Sequence, residues 1–142
     1  MVRDPEQDPE EILAQATKVG YDDIFGELAG GLPAWRTEGL PIATTQLITP
    51  TLTSADHVLD IRQDSEFTGG HVPGAQHVEL GALASAVGAL PPGPLTAMCG
   101  HGERAMTAAS ILEQAGRHDI SVLAGGASDW AAAHEISLET ST

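Results

Sequence analysis

The sequence of 142 residues is poor in cysteine and in aromatic residues, and each shortage excludes a class of protein. Its single cysteine, Cys99, excludes an intrachain disulfide and a metal site built from several cysteines. Aromatic residues make up 4% of the chain, so Ala, Val, Leu and Ile must fill most of any core. The hydrophobic fraction of 42% is sufficient for one compact domain of ordinary size with a short appendage.

Basic residues are also scarce. The chain has 6 Lys and Arg against 20 Asp and Glu, which gives a net charge of −14. This charge repels nucleic acid and anionic membrane surfaces, so we expect neither as a partner. No run approaches the roughly 20 apolar residues that a membrane helix needs. The acidic start "MVRDPEQDPEEI" lacks the layout of a signal peptide, and we therefore expect a cytoplasmic protein.

From residue 45 onward, short apolar runs alternate with helical stretches. The runs predict strands at 57–61, near 77–78, at 95–98 and within 120–126. The helical stretches are 80–90, 104–115 and 127–133, with Gly116 ending the second and Ser128 or Asp129 capping the third. This alternation predicts an α/β domain with a largely parallel sheet and helices on both faces.

The first 44 residues echo the end of the chain. "LAGGLPAW" (28–35) resembles "LAGGASDW" (123–130), and "ILAQA" (12–16) resembles "ILEQA" (111–115). Chance similarity is the alternative, but the order of the matches indicates a partial repeat. We therefore expect a helix–strand–helix half-repeat and linker over 1–44 and a complete domain over 45–142. So small a fragment carries little core, so it should pack on the same chain or form a homodimer.

Cys99 lies between a predicted strand and a predicted helix, where negative charge is readily stabilised. The helix dipole and the backbone N–H groups of the loop favour a reactive thiolate. Arg104 adds a permanent cation and His101 a second one when protonated, whereas Glu103 opposes them unless it points to solvent. A small buried hydrophobic residue is the alternative for Cys99. The candidate site comprises Cys99, Gly100, His101, Gly102, Glu103, Arg104 and Ala105.

Four segments resemble the rhodanese family in their order and spacing. They are "VLDIR" (58–62), "EFTGGHVPGAQHV" (66–78), "CGHGER" (99–104) and "VLAGGASDW" (122–130). The resemblance covers roughly residues 45–140. It implies a three-layer domain in which a five-stranded, mostly parallel sheet lies between helices, with the cysteine at the mouth of the sheet.

The resemblance also implies sulfurtransferase chemistry without a metal or a cofactor. The Cys99 thiolate would take the outer sulfur of a donor, become a persulfide and pass that sulfur to cyanide or a thiol. Thiosulfate, a glutathione persulfide and 3-mercaptopyruvate remain open as donors. Asp60 and Arg62 would lie near the same rim and bind substrate, or form a scaffold salt bridge. His71 is expected to be a hydrogen-bonding residue of its turn.

Two other functions and a larger context remain open. The domain could be a non-catalytic module that docks partners or regulates an adjoining hydrolase. An arsenate reductase or phosphatase is disfavoured, because four residues separate Cys99 from Arg104 where those relatives resemble C-x5-R. Residues 20–41 resemble the end of the first rhodanese-like module in fusions with a metallo-β-lactamase-fold hydrolase. We expect the chain to be the C-terminal part of such a protein, although it lacks the H-x-H-x-D-H metal motif.

Overall fold

A computed structural model describes residues 1–18 and 22–141, which fall into two compact units, Met1–Thr44 and Thr45–Thr142. The first unit contains helices α1 (Pro9–Lys18) and α2 (Gly31–Thr37). The Asp8 carboxylate accepts the Glu10 N–H at 2.9 Å, which satisfies a free amide at the start of α1. The side chain of Phe25 is 96% exposed and that of Leu32 is 40% exposed, so this unit buries little apolar surface.

The strand predicted within the first unit does not form. Residues 22–28 lead into α2 without regular structure, and no strand occurs between residues 22 and 44. A lone extended segment has no neighbour to accept and donate its backbone hydrogen bonds, so it does not become a strand. Gly20 and Tyr21, which belong to the segment used for the fusion prediction, lie outside the described residues. The half-repeat itself stays a prediction.

The second unit is an α/β domain built on a five-stranded parallel sheet, which confirms the predicted fold. The strands are β1 (Gln46–Ile48), β2 (Val58–Asp60), β3 (Gln76–His77), β4 (Leu95–Met98) and β5 (Ile120–Leu123). They lie in the order β1-β5-β4-β2-β3. The helices are α3 (Asp64–Gly69), α4 (Leu83–Ala86), α5 (Glu103–Gln114) and α6 (Ala127–His134). Because all strand pairs are parallel, their carboxyl ends share one edge of the sheet.

The side chains of β4 divide between two hydrophobic cores, one on each face of the sheet. Leu95, Ala97 and Cys99 belong to one core, whereas Met98 belongs to the other. This division follows from the two-residue period of a strand. The first core is completed by α4 and α5 through Leu83, Ala105, Ala108, Ala109 and Leu112. The second is completed by α6 through Ala127 and Trp130.

Two local predictions differ from the structure. The predicted helix over 80–90 is divided into a 3₁₀ turn at Leu80–Ala82, the short α4 and a second 3₁₀ turn at Val87–Ala89. Gly81 and Gly88 weaken a continuous α-helix at those two turns. The N-cap of α6 is Gly126 and not Ser128 or Asp129. Asp129 acts from inside the helix, where its carboxylate accepts the Gly126 N–H at 2.8 Å.

Candidate active site

Cys99 follows the last residue of β4 and is 1% exposed. The alternation of β4 directs its side chain to the face covered by α5. The Gly102 N–H donates a hydrogen bond to Cys99 Sγ at 3.1 Å. Gly102 has a φ of 118°, a left-handed conformation that favours glycine, and α5 begins at the next residue. The loop therefore bends back over the sulfur immediately before the helix starts.

The first turn of α5 offers further donors at this position. The first described helical bond of α5 runs from the Met106 N–H to the Gly102 carbonyl at 2.9 Å. The amides of Glu103, Arg104 and Ala105 precede that bond, as the first amides of any helix do. They also lie at the positive end of the helix dipole. This arrangement can stabilise an anion that extends beyond the cysteine sulfur.

Gly126 determines how closely the cysteine loop packs against the start of α6. A Cβ at Gly126 would lie 2.5 Å from the Gly100 carbonyl oxygen and 3.1 Å from that of Cys99. The 2.5 Å distance to a backbone oxygen is too short for a Cβ and the 3.1 Å distance is tight, so glycine suits this approach. The glycine pair Gly125–Gly126 therefore forms the turn after β5 and also allows the cysteine loop to pack closely against it.

Arg104 forms a two-point ion pair with Glu66 of α3. Its Nη1 and Nη2 donate to the two carboxylate oxygens of Glu66 at 2.7 and 2.9 Å. Glu66 also accepts the Gln63 N–H at 3.2 Å, which orients the carboxylate from the start of α3. The hydrogen bonds from Arg104 lower the pKa of Glu66 to about 2 against the opposing effect of burial. Glu66 and, to a lesser extent, Cys99 raise the pKa of Arg104, because the guanidinium lies beside both groups.

Glu66 is the site residue that the sequence analysis did not identify. It belongs to the quoted "EFTGGHVPGAQHV" segment, but 38 positions separate it from Arg104. An acidic residue within a motif shared with a family is the signal that could have indicated it.

Asp60 and Arg62 form a second ion pair at the end of β2. Asp60 is fully buried, and its Oδ2 accepts a hydrogen bond from Arg62 Nη2 at 2.6 Å. The same Nη2 donates to the Gly70 carbonyl oxygen at 2.9 Å, which ties the pair to the turn before β3. The register of the sheet places Asp60 beside Met98, one residue before Cys99. Both residues thus border the site, and their described hydrogen bonds connect them to each other and to the turn.

The remaining predicted residues divide between solvent and core. His101 and Glu103 are exposed, so Glu103 meets the condition under which it would not oppose a thiolate. Ala105 is fully buried in the core beneath α5. The structure therefore brings together Cys99, Gly100, Gly102 and Arg104, with Glu66 added.

Comparison of the sequence with known protein families identifies the second unit. Residues 45–133 match the rhodanese-like domain family. The chain belongs to this family. It is 33% identical over 90 residues to the thiosulfate sulfurtransferase GlpE of Shewanella oneidensis, a match that covers 63% of this chain and 89% of that protein. It is 34% identical over 74 residues to the GlpE of Pseudomonas aeruginosa, covering 51% of this chain and 67% of that protein.

Solved structures agree on the fold. A rhodanese-related protein from Thermoplasma volcanium aligns with a TM-score of 0.59 at 21% identity, over 68% of this chain and 99% of that chain. The predicted rhodanese resemblance is confirmed, and the relatives support membership of a sulfurtransferase family. The predicted fusion with a hydrolase stays a prediction.

The turn that supports the rhodanese-like site is held by aromatic stacking. The rings of His71 and His77 both stack on Phe67, with centroid distances of 3.8 and 4.2 Å. His71 Nδ1 lies 2.9 Å from the Phe67 carbonyl oxygen, and His77 Nε2 lies 2.9 Å from that of Arg62. These contacts agree with a structural role for His71.

Two wider features follow from the described residues. Across residues 1–18 and 22–141, no group of three or more His, Cys, Asp or Glu side chains is arranged to hold a metal ion. Among the helices of the same residues, none has the length and apolar character that crossing a membrane would require.

A cleft with a volume of about 310 Å³ lies beside Arg104. Its walls combine apolar and polar groups, namely Ile61, Gln63, Glu79, Leu80, Gly81 and Arg104. The Glu79 Oε1 accepts the Asp64 N–H at 2.7 Å, so the carboxylate has a fixed position. Arg104 is a wall of this cleft and its guanidinium also lies beside Cys99, so the cleft adjoins the cysteine site.

Proposed function

We propose that this rhodanese-like domain is a sulfurtransferase that carries sulfane sulfur as a persulfide on Cys99. The observation that supports the proposal is the Gly102 N–H hydrogen bond of 3.1 Å to Cys99 Sγ at the start of α5. A thiolate is the nucleophilic form of cysteine, and amide donors and a helix N-terminus both favour it. Arg104 adds a cation beside the same sulfur.

The first step loads the enzyme. The Cys99 thiolate attacks the outer sulfur of thiosulfate, a new S–S bond forms, and the bond to the central sulfur breaks. Sulfite leaves with the electron pair of that bond, and Cys99 becomes a persulfide anion. The terminal sulfur then carries the negative charge, which the first-turn amides of α5 are placed to stabilise.

The second step unloads the enzyme. Cyanide or a thiolate attacks the terminal sulfur, and the S–S bond breaks with its electron pair returning to Cys99 Sγ. The products are thiocyanate or a new persulfide, and the Cys99 thiolate is restored. No external oxidant or reductant is needed in either step.

The names of the relatives support thiosulfate as the first donor to test, with a low-molecular-weight persulfide as the second, and the length of the loop supports transfer of sulfur rather than of phosphate. The relatives in Shewanella oneidensis and Pseudomonas aeruginosa are named thiosulfate sulfurtransferases. The loop between Cys99 and Arg104 holds four residues, one fewer than the C-x5-R loop of phosphatase-like relatives. The shorter loop suits a single sulfur atom better than a tetrahedral oxyanion.

Intact-mass spectrometry tests this function directly. Incubation with thiosulfate should add about 32 Da to the chain, dithiothreitol should remove that mass, and Cys99→Ser should never gain it. Blocking Cys99 with iodoacetamide before adding thiosulfate is the control for non-specific addition. If the mass stays unchanged with both thiosulfate and glutathione persulfide, the domain is better explained as a non-catalytic docking or regulatory module.

The wider context of the protein stays at the level of prediction. A hydrolase domain attached before residue 1, a homodimer, a cytoplasmic location and the absence of nucleic-acid or membrane partners are in this group. None of these four properties is needed for the Cys99 chemistry.

A further inference from the structure

Both arginines at the site are already neutralised by carboxylates. Arg104 is held by Glu66 at 2.7 and 2.9 Å, and Arg62 is held by Asp60 at 2.6 Å. A guanidinium in such a pair offers an incoming anion little net positive charge. An acceptor with a negative group of its own therefore gains little attraction from these two arginines, whereas the thiosulfate anion still meets the first-turn amides of α5.

Glu79 adds an uncompensated negative charge beside the same site. Its Oε1 is held by the Asp64 N–H at 2.7 Å, and no ion pair to it occurs in the part of the chain that the structure describes. Glu79 is exposed and lines the cleft, so a cationic ligand there can reach its carboxylate. The net charge of −14 for the whole chain reinforces the local preference for a cation.

The cleft has the dimensions and surface of a site for a short organic thiol. Its volume of about 310 Å³ exceeds that of a few linked methylene groups with polar ends. Ile61 and Leu80 provide apolar walls for such methylenes. Arg104 is one wall of this cleft and its guanidinium also lies beside Cys99, so a thiol directed toward Arg104 shares the cleft with Glu79.

We infer that this cleft selects sulfur acceptors that carry an ammonium group, with Glu79 as the charge that recognises it. The ligand class is a low-molecular-weight aminothiol, whose thiolate attacks the Cys99 persulfide and leaves as an aminothiol persulfide. An acidic thiol of the same length would be repelled by Glu79. The inference rests on the proposed persulfide of Cys99 and specifies its acceptor.

The test compares acceptors on an enzyme that already carries sulfur. The domain is loaded with thiosulfate, the donor is removed by desalting, and loss of about 32 Da is followed after adding an acceptor. The acceptors are cysteamine, which is cationic, and 3-mercaptopropionate, which is anionic. The measured quantity is the ratio of their two transfer rates in the wild type and in each variant, so differences in intrinsic thiol reactivity cancel.

Glu79→Gln should lower the rate ratio of cysteamine to 3-mercaptopropionate by about threefold to tenfold, because the side chain keeps its shape and loses its charge. Asp56→Asn is the matched control, since Asp56 is exposed before β2 at the opposite edge of the sheet. It should leave the ratio unchanged. In the wild type, added salt should also lower the ratio by screening Glu79.

Two results would overturn the inference, and they are distinguishable. If the wild type loads sulfur but Glu79→Gln keeps its acceptor ratio, the aminothiol site is wrong and the sulfurtransferase function stands. If the wild type never loads sulfur, the proposed function fails at the earlier step and the acceptor site fails with it. A loading measurement on each variant shows whether that variant is folded.

Discussion

Neutralising Glu66 should make Cys99 react faster with a small electrophile, because the charge of Arg104 is then left uncompensated. In the variant Glu66→Gln, the guanidinium of Arg104 keeps its charge but loses the carboxylate that compensates it. The sulfur then faces a net positive neighbour, which favours the thiolate over the thiol. The expected direction is therefore the opposite of the loss that breaking an active-site contact usually causes.

The size of the effect follows from charge and distance. At a separation of about 7 Å, a unit charge contributes about 0.6 kcal/mol in a water-like medium, which corresponds to about a threefold change in the ratio of thiolate to thiol. The side chains of Arg104 and Glu66 are 41% and 36% exposed, so the water-like value applies better than that of a dry interior. We expect Glu66→Gln to alkylate about threefold faster than the wild type.

Alkylation by iodoacetamide at pH 7 measures this effect, because the chain has no other cysteine. Arg104→Ala should react more slowly than the wild type, and adding Glu66→Gln to Arg104→Ala should restore about a threefold increase, because the two charges act additively on the sulfur. Asp119→Asn is the control. Asp119 pairs with Arg117 at 3.3 Å, so this substitution removes a similar ion pair elsewhere in the domain and should leave the alkylation rate unchanged.

Two outcomes would refute this reasoning. If Glu66→Gln leaves the alkylation rate unchanged, removing the carboxylate does not alter the charge that the sulfur faces. If Glu66→Gln slows alkylation, its main role is to hold Arg104 in place, and the released guanidinium no longer lies beside Cys99.

Three further predictions concern the stability of the domain and its loading with sulfur. The folded pKa of Glu66, about 2, lies below its ordinary 4.5, so its pair stabilises the domain above pH 4.5 by up to about 1 kcal/mol. Urea unfolding of the wild type and Glu66→Gln should therefore converge as the pH falls toward 2. Gly126→Ala should cost about 1–3 kcal/mol and slow sulfur loading, whereas Gly88→Ala, with open space around it, should do neither. Residues 45–142 produced alone should still load sulfur, because both cores and the Glu66–Arg104 pair lie within them; loss of loading would contradict this.

The sequence was sufficient to predict the elements that depend on local signals. The cysteine loop and α5 were predictable because a strand, a glycine-containing turn and a helix-forming run follow one another directly around Cys99. The parallel sheet followed from the alternation of strands and helices. In contrast, β1 spans only Gln46–Ile48 and gave no clear pattern, since its pairing with β5 rather than its own composition makes it a strand.

The remaining differences come from contacts between distant parts of the chain. The Arg104–Glu66 pair joins the start of α5 to α3, a helix that was not predicted from the sequence. Gly126 is an N-cap because the Gly100 carbonyl approaches too closely for a side chain, which no local cap preference reveals. The strand expected in the first unit was inferred from its similarity to the segment that forms β5. That segment is a strand because it forms hydrogen bonds with its neighbours β1 and β4.

The burial of Cys99 has a consequence for which reagents can reach it. Its side chain belongs to the same core cluster as Ala105 and Ala108, and the residue is 1% exposed. Reagents must therefore reach a sulfur whose residue has almost no solvent-exposed surface. Width should then discriminate among electrophiles: a slender reagent such as iodoacetamide should modify the thiol far faster than a bulky N-substituted maleimide, and denaturation should abolish that difference. The tight packing that stabilises the sheet thereby also acts as a size filter that protects the sulfur from large oxidants.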